Sequence, residues 1–367
     1  MRSLQGARHS DLGFDPAHVL DIGLDPGEIG YSRAQDTEFY AQLLTRVRAL
    51  PRVQSASLAM TLPLGDNTPD SEIAIPGRVQ QRGGELRADY NAVSPSYFKT
   101  MNIVVLRGRD FLDSDNESSR RVAIINEAMA ERFWPGVNPV GRNFKRNGDA
   151  EPTIEIVGVV RNSRVEDTYS PYSPAFYIPF SQNYTSAQTL QVRTAGPPQA
   201  IGPEVFNIVR ELAPTAPILS VRTMTDAVTN SPGGLLLFNL GAKLTAALGL
   251  LGLALAVVGI YGVMAYSIGQ RTQEIGVRIA LGAQRRTILW MVSRHGLAIV
   301  GSGLAIGLLI AIGIGHLVGG FLVGIGPTDP LTYITVSGLL SLIALTACYI
   351  PSRRAMHVEP TVALRYE

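Results

Sequence analysis

The chain has 367 residues and a net charge of +2, with 46% hydrophobic and 17% charged residues. Soluble domains usually carry roughly 25% charged residues, and the deficit lies after Leu244, where eight Arg, no Lys and four acids give +4. The preceding part therefore carries −2, which argues against a nucleic-acid-binding protein, and the single cysteine, Cys348, excludes a disulfide framework and a cysteine-based zinc cluster.

The first 243 residues predict a mixed α+β domain outside the cytoplasm. Residues 1–13 lack the apolar core of a signal peptide, so none is expected there. The opening and closing strand–helix–strand units look alike, which suggests an internal pseudo-repeat that flanks an inserted middle section. Alternation, helical spacing and Pro or Gly boundaries predict strands at 19–24, 53–59, 73–75, 122–125, 154–160, 175–178, 190–192 and 218–221, and helices at 36–49, 127–133 and 201–212.

Catalytic and cofactor motifs are missing from the sequence. It contains no GxSxG, HExxH or GxxxxGK[ST] pattern, and its five histidines have no metal-ligand spacing. Asp110, Asp113 and Asp115 resemble the start of a calcium loop, but the glycine and glutamate of such a loop do not follow. We therefore expect a solvated turn there, no metal or cofactor, and a chain that is not itself an enzyme.

Three stretches, 244–270, 295–328 and 330–352, contain no Asp, Glu, Lys or Arg. Because a bilayer core requires about 20 apolar residues in a helix, they predict membrane spans near 244–268, 296–323 and 331–351. The loop between the first two spans carries five Arg and the tail after the third carries three. The positive-inside rule places this loop and the tail in the cytoplasm and residues 1–243 outside.

The spans themselves contain one ionisable residue, His316. Carriers driven by protons or sodium usually place acids or bases at mid-membrane, so the sequence argues against an ion-driven carrier. Gly303 with Gly307, and Gly315 with Gly319, have the spacing that allows close helix packing, although glycine is also simply common in membrane helices.

The loop after the first span has a helical charge pattern. Arg271, Glu274 and Arg278 share one face, where neighbouring pairs can form ion pairs, while Ile275 and Ile279 lean to another side. This predicts a short amphipathic helix that ends near Gly282, and Gln284 then begins the helix that enters the second span. The residues alone leave two interpretations open, namely a groove on a partner protein or a basic anchor on anionic lipid.

Beyond these patterns, several stretches resemble a known family. The segment VVGIYGVMAYSIGQRTQEIGVRIALGAQRRTIL resembles the FtsX-like permease domain of MacB-type ABC transporters, and GPTDPLTY with ACYIPSRRAMHVEPTVALRYE is similar to the end of that domain. The pieces DLGFDP, FYAQLLTRVRALPRVQSASLA, YNAVSPSYFKTMNI, LRGRDF and VAIINEAMAERFWPGVNPVGRNF are similar to the MacB-type periplasmic core. SPGGLLLFNLGAKL looks most like the duplicated permeases of Acidobacteria.

The resemblance implies an architecture. It places a MacB-like periplasmic core at 1–230, a linker at 231–243 and an FtsX-like permease domain at 244–367, in the inner membrane of a bacterium. Family members carry four spans per half, with one before the core. The sequence is therefore expected to be the second half of a duplicated permease, or a piece without its first span.

The resemblance also implies partners. A separate ABC ATPase would bind the cytoplasmic loop, and the chain would work with a second permease half or as a homodimer, in contact with membrane lipid and with a periplasmic adaptor or outer-membrane channel. ATP hydrolysis would move the outer domain mechanically through residues 226–243, with efflux as the expected outcome. The residues expected to couple the loop to the ATPase are Arg271, Glu274, Ile275, Gly276, Arg278, Ala280, Leu281, Gly282, Ala283, Arg285 and Arg286.

Two other functions compete with this one. An FtsX-like protein could instead activate a periplasmic cell-wall hydrolase without moving a substrate. A membrane-anchored periplasmic binding module or enzyme is the alternative of another class, but a plain anchor needs neither three spans nor an ordered basic loop.

Overall fold

A computed structural model describes residues 11–65, 68–76, 86–146, 152–168, 170–270, 301–314, 334–338, 340–342 and 346. The chain divides into two compact units, one of which, here called the head, comprises Ala7–Leu237, while the other contains Phe238–Glu367. The domain boundaries predicted at 230/231 and 243/244 stay a prediction.

The head is an α+β domain whose eleven described strands join in one sheet. The strands are β1 (Val19–Leu24), β2 (Val53–Ala59), β3 (Asp70–Ala74), β4 (Arg87–Val93), β5 (Val105–Gly108), β6 (Val122–Asn126), β7 (Asn143–Arg146), β8 (Ile154–Val160), β9 (Ala175–Pro179), β10 (Gln188–Thr194) and β11 (Ile218–Thr223). The helices are α1 (Arg33–Arg48), α2 (Tyr97–Met101), α3 (Glu127–Phe133), α4 (Gly202–Leu212), α5 (Met224–Asn230) and α6 (Leu236–Gln270), with 3-10 turns at Pro26–Ile29, Phe180–Gln182 and Pro198–Ile201.

Two interleaved strand–helix–strand units form one end of the sheet, in the order β11-β1-β10-β2 with all neighbours antiparallel. The first unit is β1–α1–β2 and the second is β10–α4–β11, so each unit places a strand between the two strands of the other. This is a split βαβ arrangement of the ferredoxin-like kind. The predicted pseudo-repeat is therefore present, and β3 to β9 are the inserted middle section.

Local sequence explains why the two long helices of the head form where they do. Ser32 caps α1 in a reciprocal capping box with Gln35, and Phe39, Tyr40 and Leu43 recur on its buried face. In α4, Val205 and Val209 point into the same core as Leu190 and Val192 of β10. Both helices thus cover one face of the four-strand end of the sheet.

The opposite face of that sheet has its own cover. Val19 of β1 and Ala59 of β2 belong to a second core cluster, together with Tyr97 and Phe98 of α2 and Met224 of α5. A third cluster fills the middle section between α3 and strands β6, β8 and β9. Strand neighbours alternate between the first two clusters because successive side chains point to opposite faces.

The second unit contains the apolar part of α6. Within the described residues one helix, spanning Asn239–Val263, is long and apolar enough to cross a membrane, and Gly301–Ile314 is a shorter apolar helix. Residues 334–338 and 340–342 are also helical. Most of the second and third predicted spans lies outside the described residues, so the three-helix bundle stays a prediction.

Candidate functional site

All eleven residues predicted to couple the loop to an ATPase fall at 271–286, outside the described residues. Their arrangement stays a prediction. The last described residue before them is Gln270, at the end of α6, whose side-chain amide donates a 2.7 Å hydrogen bond to the Tyr266 hydroxyl. The structure instead describes the other end of α6, where the chain leaves the head.

This end begins with a capped short helix. Thr223 ends β11 and caps α5, since its Oγ1 accepts from the Asp226 amide at 3.0 Å and bonds the Asp226 carboxylate at 2.7 Å. Met224, Ala227 and Val228 are the buried residues of α5. This short helix connects the edge strand β11 to the segment that leads to α6.

Residues 231–235, Ser-Pro-Gly-Gly-Leu, form what we call the exit segment. The buried Ser231 accepts from the Gly234 amide through both its carbonyl, at 3.1 Å, and its Oγ, at 3.0 Å. The Leu235 amide donates to the Val228 carbonyl at 3.0 Å, and the Leu235 side chain is buried. Two tight turns therefore fasten the exit segment to the end of α5 immediately before α6 begins.

A loop of the middle section holds the exit segment from the other side. The Thr168 amide donates to the Gly233 carbonyl at 3.0 Å, and the Val165 carbonyl of the same loop accepts from the Leu64 amide at 2.8 Å. A Cβ at Gly233 would lie 2.0 Å from the Glu166 carbonyl oxygen. Because that distance is far below van der Waals contact, no residue with a side chain fits there without a backbone shift. The exit segment is thus clamped on both sides within the head.

A row of buried polar side chains crosses the four-strand end of the sheet. Asp21 of β1 lies opposite Gln191 of β10, which in turn lies opposite Ser57 of β2. Ser55 also belongs to β2, two residues before Ser57. Both Asp21 oxygens, both polar atoms of the Gln191 amide and both serine hydroxyls are buried and have no hydrogen-bond partner among the residues that the structure describes. Leaving one buried polar group unsatisfied costs about 1–3 kcal/mol, so such groups usually bond ordered water where protein partners are missing.

Burial also favours the neutral form of the Asp21 carboxyl. Burial raises the pKa of the Asp21 carboxyl well above its usual range, and the nearby positive charge of Arg222 opposes this shift. Arg222 lies opposite Asp21 in register, on the exposed edge strand β11. The carboxyl therefore has its counter-charge one strand away, on the strand that continues into α5.

In the middle section, the buried side chains of Asn126 and Asp89 form hydrogen bonds with other protein groups. Asn126 Oδ1 accepts from the Met129 and Ala175 amides at 2.8 and 3.0 Å, and its Nδ2 donates to the Ser173 carbonyl at 2.8 Å. The Ser173 hydroxyl lies 2.7 Å from the Asp89 carboxylate, while burial raises the pKa of Asp89 to about 6, against the lowering effect of that hydrogen bond. These groups fix the middle section by satisfied hydrogen bonds.

The acidic turn differs in part from its prediction. Asp113 is exposed as expected, but Asp115 is buried and forms a two-pronged ion pair with Arg109, at 2.6 and 2.8 Å. The expectation of a solvated Asp115 is wrong because the Arg109 guanidinium and the Leu112 amide, at 2.9 Å, replace water around its carboxylate. Among the described residues no group of three or more His, Cys, Asp or Glu side chains could hold a metal ion.

Sequence reasoning missed the polar row and the clamp on Gly233. A visible hint of the row is an aspartate between two buried apolar residues of β1, Leu20 and Ile22. Its partners could not be found without the register of three strands. The two glycines of the exit segment stood out only through the resemblance of the SPGG stretch.

The fold and the exit segment describe a head domain whose last strand and helix lead into a long apolar helix, and comparison with known proteins identifies the class. A model of the MacB-like periplasmic core domain matches residues 6–225, and a model of the FtsX-like permease C-terminal region matches residues 246–360. The chain belongs to the MacB-like, FtsX-like family of ABC transporter permeases, which confirms the resemblance.

Individual relatives agree. The chain is 28% identical over 299 residues to the uncharacterized ABC transporter permease YknZ of Bacillus subtilis, covering 77% of this chain and 71% of YknZ. It is 26% identical to the macrolide export ATP-binding/permease protein MacB of Bdellovibrio bacteriovorus, covering 75% of this chain and 43% of that protein. The chain thus spans less than half the length of this MacB relative.

Two solved structures are similar at low identity. The periplasmic region of MacB from Actinobacillus actinomycetemcomitans matches with a TM-score of 0.40 and 12% identity, covering 62% of this chain and 96% of that one. The extracellular domain of YknZ matches with a TM-score of 0.36 and 16% identity, covering 55% and 100%.

Proposed function

We propose that the chain is the permease subunit of an ATP-driven MacB-type transporter, in which a separate ATPase moves the head mechanically and thereby drives export. The observation that carries this proposal is α6, which begins one residue after the clamped exit segment and continues without a break for 35 residues to Gln270. A continuous helix transmits displacement along its axis, whereas a flexible linker would absorb it. The next residue along the chain, Arg271, opens the predicted coupling loop.

The ATPase binds the loop at 271–286 in this proposal. The spacing of Arg271, Glu274 and Arg278 predicts the charged face of a short helix, and Ile275 and Ile279 would supply the apolar contact with the partner's groove. The sequence of this chain has no phosphate-binding glycine loop of its own. ATP hydrolysis therefore belongs to the partner chain.

The distribution of arginine also bears on the location and assembly of the protein. The excess of Arg in the loop and tail favours a cytoplasmic position for both, which places the head outside a bacterial inner membrane crossed several times. Two permease halves, either as a homodimer or as two parts of one longer chain, would face one ATPase dimer. A periplasmic adaptor or outer-membrane channel would receive the exported substrate.

Co-purification tests the proposal. The tagged chain is expressed with the candidate ATPase, and the amount of ATPase retained is compared for Glu274→Lys and Gln273→Lys. Glu274→Lys removes the single acid of the loop, whose spacing predicts pairing with Arg271 and Arg278, so we expect ATPase binding to fall at least about tenfold, the equivalent of about 1.4 kcal/mol. Gln273→Lys adds a positive charge at the adjacent position and should bind nearly normally.

The alternatives predict other results. If Glu274→Lys retains its ATPase and full export activity, the loop is a lipid anchor and the coupling interpretation is wrong. If the ATPase binds but the assembly activates a cell-wall hydrolase and exports nothing, the chain is a regulator. A chain that binds no ATPase in any form is a membrane-anchored module.

A further inference from the structure

We propose that the open edge of β5 and the cavity between β5 and α3 form a docking cleft for an extended segment of a partner protein, which carries a basic residue and adds to the sheet as a further strand. The cleft lies in the middle section of the head, in elements that the proposed function does not use. It is therefore independent of whether the loop at 271–286 binds an ATPase.

The first half of the cleft is the backbone edge of β5. Among the described strands β5 pairs with β8 alone and lies off the main path of the sheet. The Val104 carbonyl accepts from the Arg161 amide at 2.9 Å, so the backbone groups of Val104 face β8. Because such groups alternate in direction along a strand, the amide and carbonyl of Val105 face away from β8. The next three residues are exposed, so this edge is open to a further strand.

A β-bulge in β5 directs two neighbouring side chains towards α3. Val105 lies opposite Val160 of β8, and its side chain packs against a buried core cluster. The next pair is Arg107 with Val159, so Leu106 is the extra residue of the bulge. Bulges redirect side chains and are frequent beside functional sites. Here Leu106 and Arg107 both line one wall of a cavity of about 290 Å³.

The apolar lining of this cavity suits side chains of a peptide. Ala130, Trp134 and Val137 line the wall formed by α3 and the turn after it. Val137 is 46% exposed, and Leu106 across the cavity is 45% exposed. Exposed apolar side chains grouped around a cavity mark an interaction site. At about 290 Å³ the cavity lies at the lower limit of small-molecule sites, about 300–1,000 Å³, so it fits one or two peptide side chains better than a whole organic ligand.

The charges of the cavity favour a basic residue on the partner. Glu127 and Glu131 are one helical turn apart on α3, and both line the cavity together with the single guanidinium of Arg107. The Asn162 amide donates to Glu127 Oε2 at 3.0 Å, which orients that carboxylate, while Glu131 is exposed. A Lys or Arg beside a large apolar residue therefore complements the α3 wall.

The elements around the cleft are fixed to one another, which favours a lasting partner over an exported molecule. Asn162, at the end of β8, accepts from the Ala128 amide at 2.8 Å through Oδ1 while its own amide holds Glu127. Asn126 caps the same helix through the Met129 amide. A preformed site lowers the cost of binding, and strand addition supplies backbone hydrogen bonds along the whole edge. This combination suits a segment that stays attached, whereas an exported molecule has to be released.

A peptide selection tests the cleft. The whole chain in lipid nanodiscs is offered a phage library of random ten-residue peptides, and empty nanodiscs provide the background. We expect the chain to select sequences in which Lys or Arg stands beside a large apolar residue. The best peptide, synthesised with a fluorescent label, should bind Glu131→Lys at least tenfold and Leu106→Ser at least threefold more weakly than the parent chain.

Matched variants separate loss of the cleft from loss of the fold. Glu211→Lys makes the same charge reversal on the exposed surface of α4 and should bind the peptide as the parent does. A peptide whose basic residue is replaced by Glu should bind Glu131→Lys at least fivefold more tightly than it binds the parent. Since Glu131 and Leu106 are both exposed, both variants should unfold at the parental thermal midpoint.

Hydrogen exchange tests the mode of binding. The bound peptide should slow exchange in Val105–Gly108 at least tenfold and leave the other edge strand, Ile218–Thr223, unchanged. Selection no better than on empty nanodiscs, binding that Glu131→Lys and Leu106→Ser leave unaltered, or protection at Ile218–Thr223 instead would overturn the inference. A chain that retains its ATPase but selects no peptide keeps the proposed function and loses the cleft, and a chain that selects peptides but binds no ATPase does the reverse.

Discussion

Asn126 and Asp21 are both buried polar residues of strands in the same sheet, and they differ in what surrounds them. The Asn126 amide makes three hydrogen bonds to backbone groups of α3, β9 and the segment before β9. The Asp21 carboxylate makes none with the described residues, like Gln191 and Ser57 beside it. Backbone groups of the protein thus fix Asn126 on three sides, whereas Asp21, Gln191 and Ser57 share one face of three neighbouring strands.

The exit segment lies where these two regions meet the start of α6. A loop of the middle section holds Gly233, while α5 holds Leu235. The middle section is thus the abutment of the exit segment, the part to which Gly233 is bonded. The predictions below test whether the two regions differ in this way.

The largest effect is expected at the satisfied amide. Asn126→Ala removes the cap of α3 and leaves the Met129 and Ala175 amides buried without partners. The lost cap bond to Met129 costs about 1 kcal/mol and the unsatisfied Ala175 amide about 1–3 kcal/mol, so we expect the free energy of unfolding to fall by about 2–4 kcal/mol.

Denaturation followed by Trp134 fluorescence, with Trp290 replaced by Phe, measures this change. Asp21→Asn is the matched comparison, because it exchanges one unpartnered buried group for another of the same shape and should be neutral or stabilising. If Asp21→Asn were as damaging as Asn126→Ala, the contrast between the two regions would be wrong.

A smaller effect is expected at the clamp. Gly233→Ala places a Cβ 2.0 Å from the Glu166 carbonyl oxygen and 3.4 Å from that of Leu64. Forced overpacking costs about 1–3 kcal/mol, so we expect a loss of about 2 kcal/mol of head stability and weaker export, because the abutment is displaced. Gly196→Ala, at a position with nothing within 4 Å, is the control and should change stability by less than about 0.5 kcal/mol.

The smallest effect is a pH dependence in the middle section. The pKa of Asp89 is raised to about 6, so the folded head favours the protonated acid. Its stabilising contribution is complete below about pH 4, the unfolded value, and is lost as the pH rises through 6. Asp89→Asn keeps an oxygen that can accept from Ser173 and cannot ionise, so it should raise head stability by about 1 kcal/mol at pH 7.5 after allowance for solvent screening.

The thermal midpoint of the head at pH 4 and at pH 7.5 checks this sign. At pH 4 the variant and the parent should unfold alike. Asp70 is the opposite control, because its hydrogen bond and charge pairing with Arg87 lower its pKa, so Asp70→Asn should not stabilise the head at pH 7.5. A stabilising effect of Asp89→Asn that is larger at pH 4 than at pH 7.5 would contradict the assignment.

Sequence patterns predicted the helices and strands whose own residues contain a clear signal, such as an apolar run, a capping box or a periodic apolar face. Strand β8 has an apolar run, α1 has a capping box and a periodic apolar face, and α4 has a similar face. Strand β4 was missed because Asp89 and Asn91 interrupt its apolar pattern, and α2 was missed because a helix of five residues depends on tertiary contacts. The seven-residue α5 was also missed, whereas α3, of the same length, was predicted.

The site was predictable only in outline. The path of the chain from residue 226 to 243 was expected to transmit movement, but the clamp on Gly233 depends on loops more than sixty residues away in sequence. The polar row depends on strand register, which no local pattern encodes. The coupling loop at 271–286 stays a prediction of the sequence.

The most direct test of the account is the distance between α5 and α2 in the chain assembled with its ATPase. Spin labels at the exposed positions Asn230 and Lys99, with Cys348 replaced by Ser, measure the distance between α5 and α2. Labels at Lys99 and at Thr45 of α1 measure the distance between α2 and α1, which serves as the reference. Trapping the ATPase in its nucleotide-bound state should shift the first distance by several ångströms and leave the second unchanged. Identical distributions for the first pair with and without nucleotide would contradict mechanical transmission from the loop to the head.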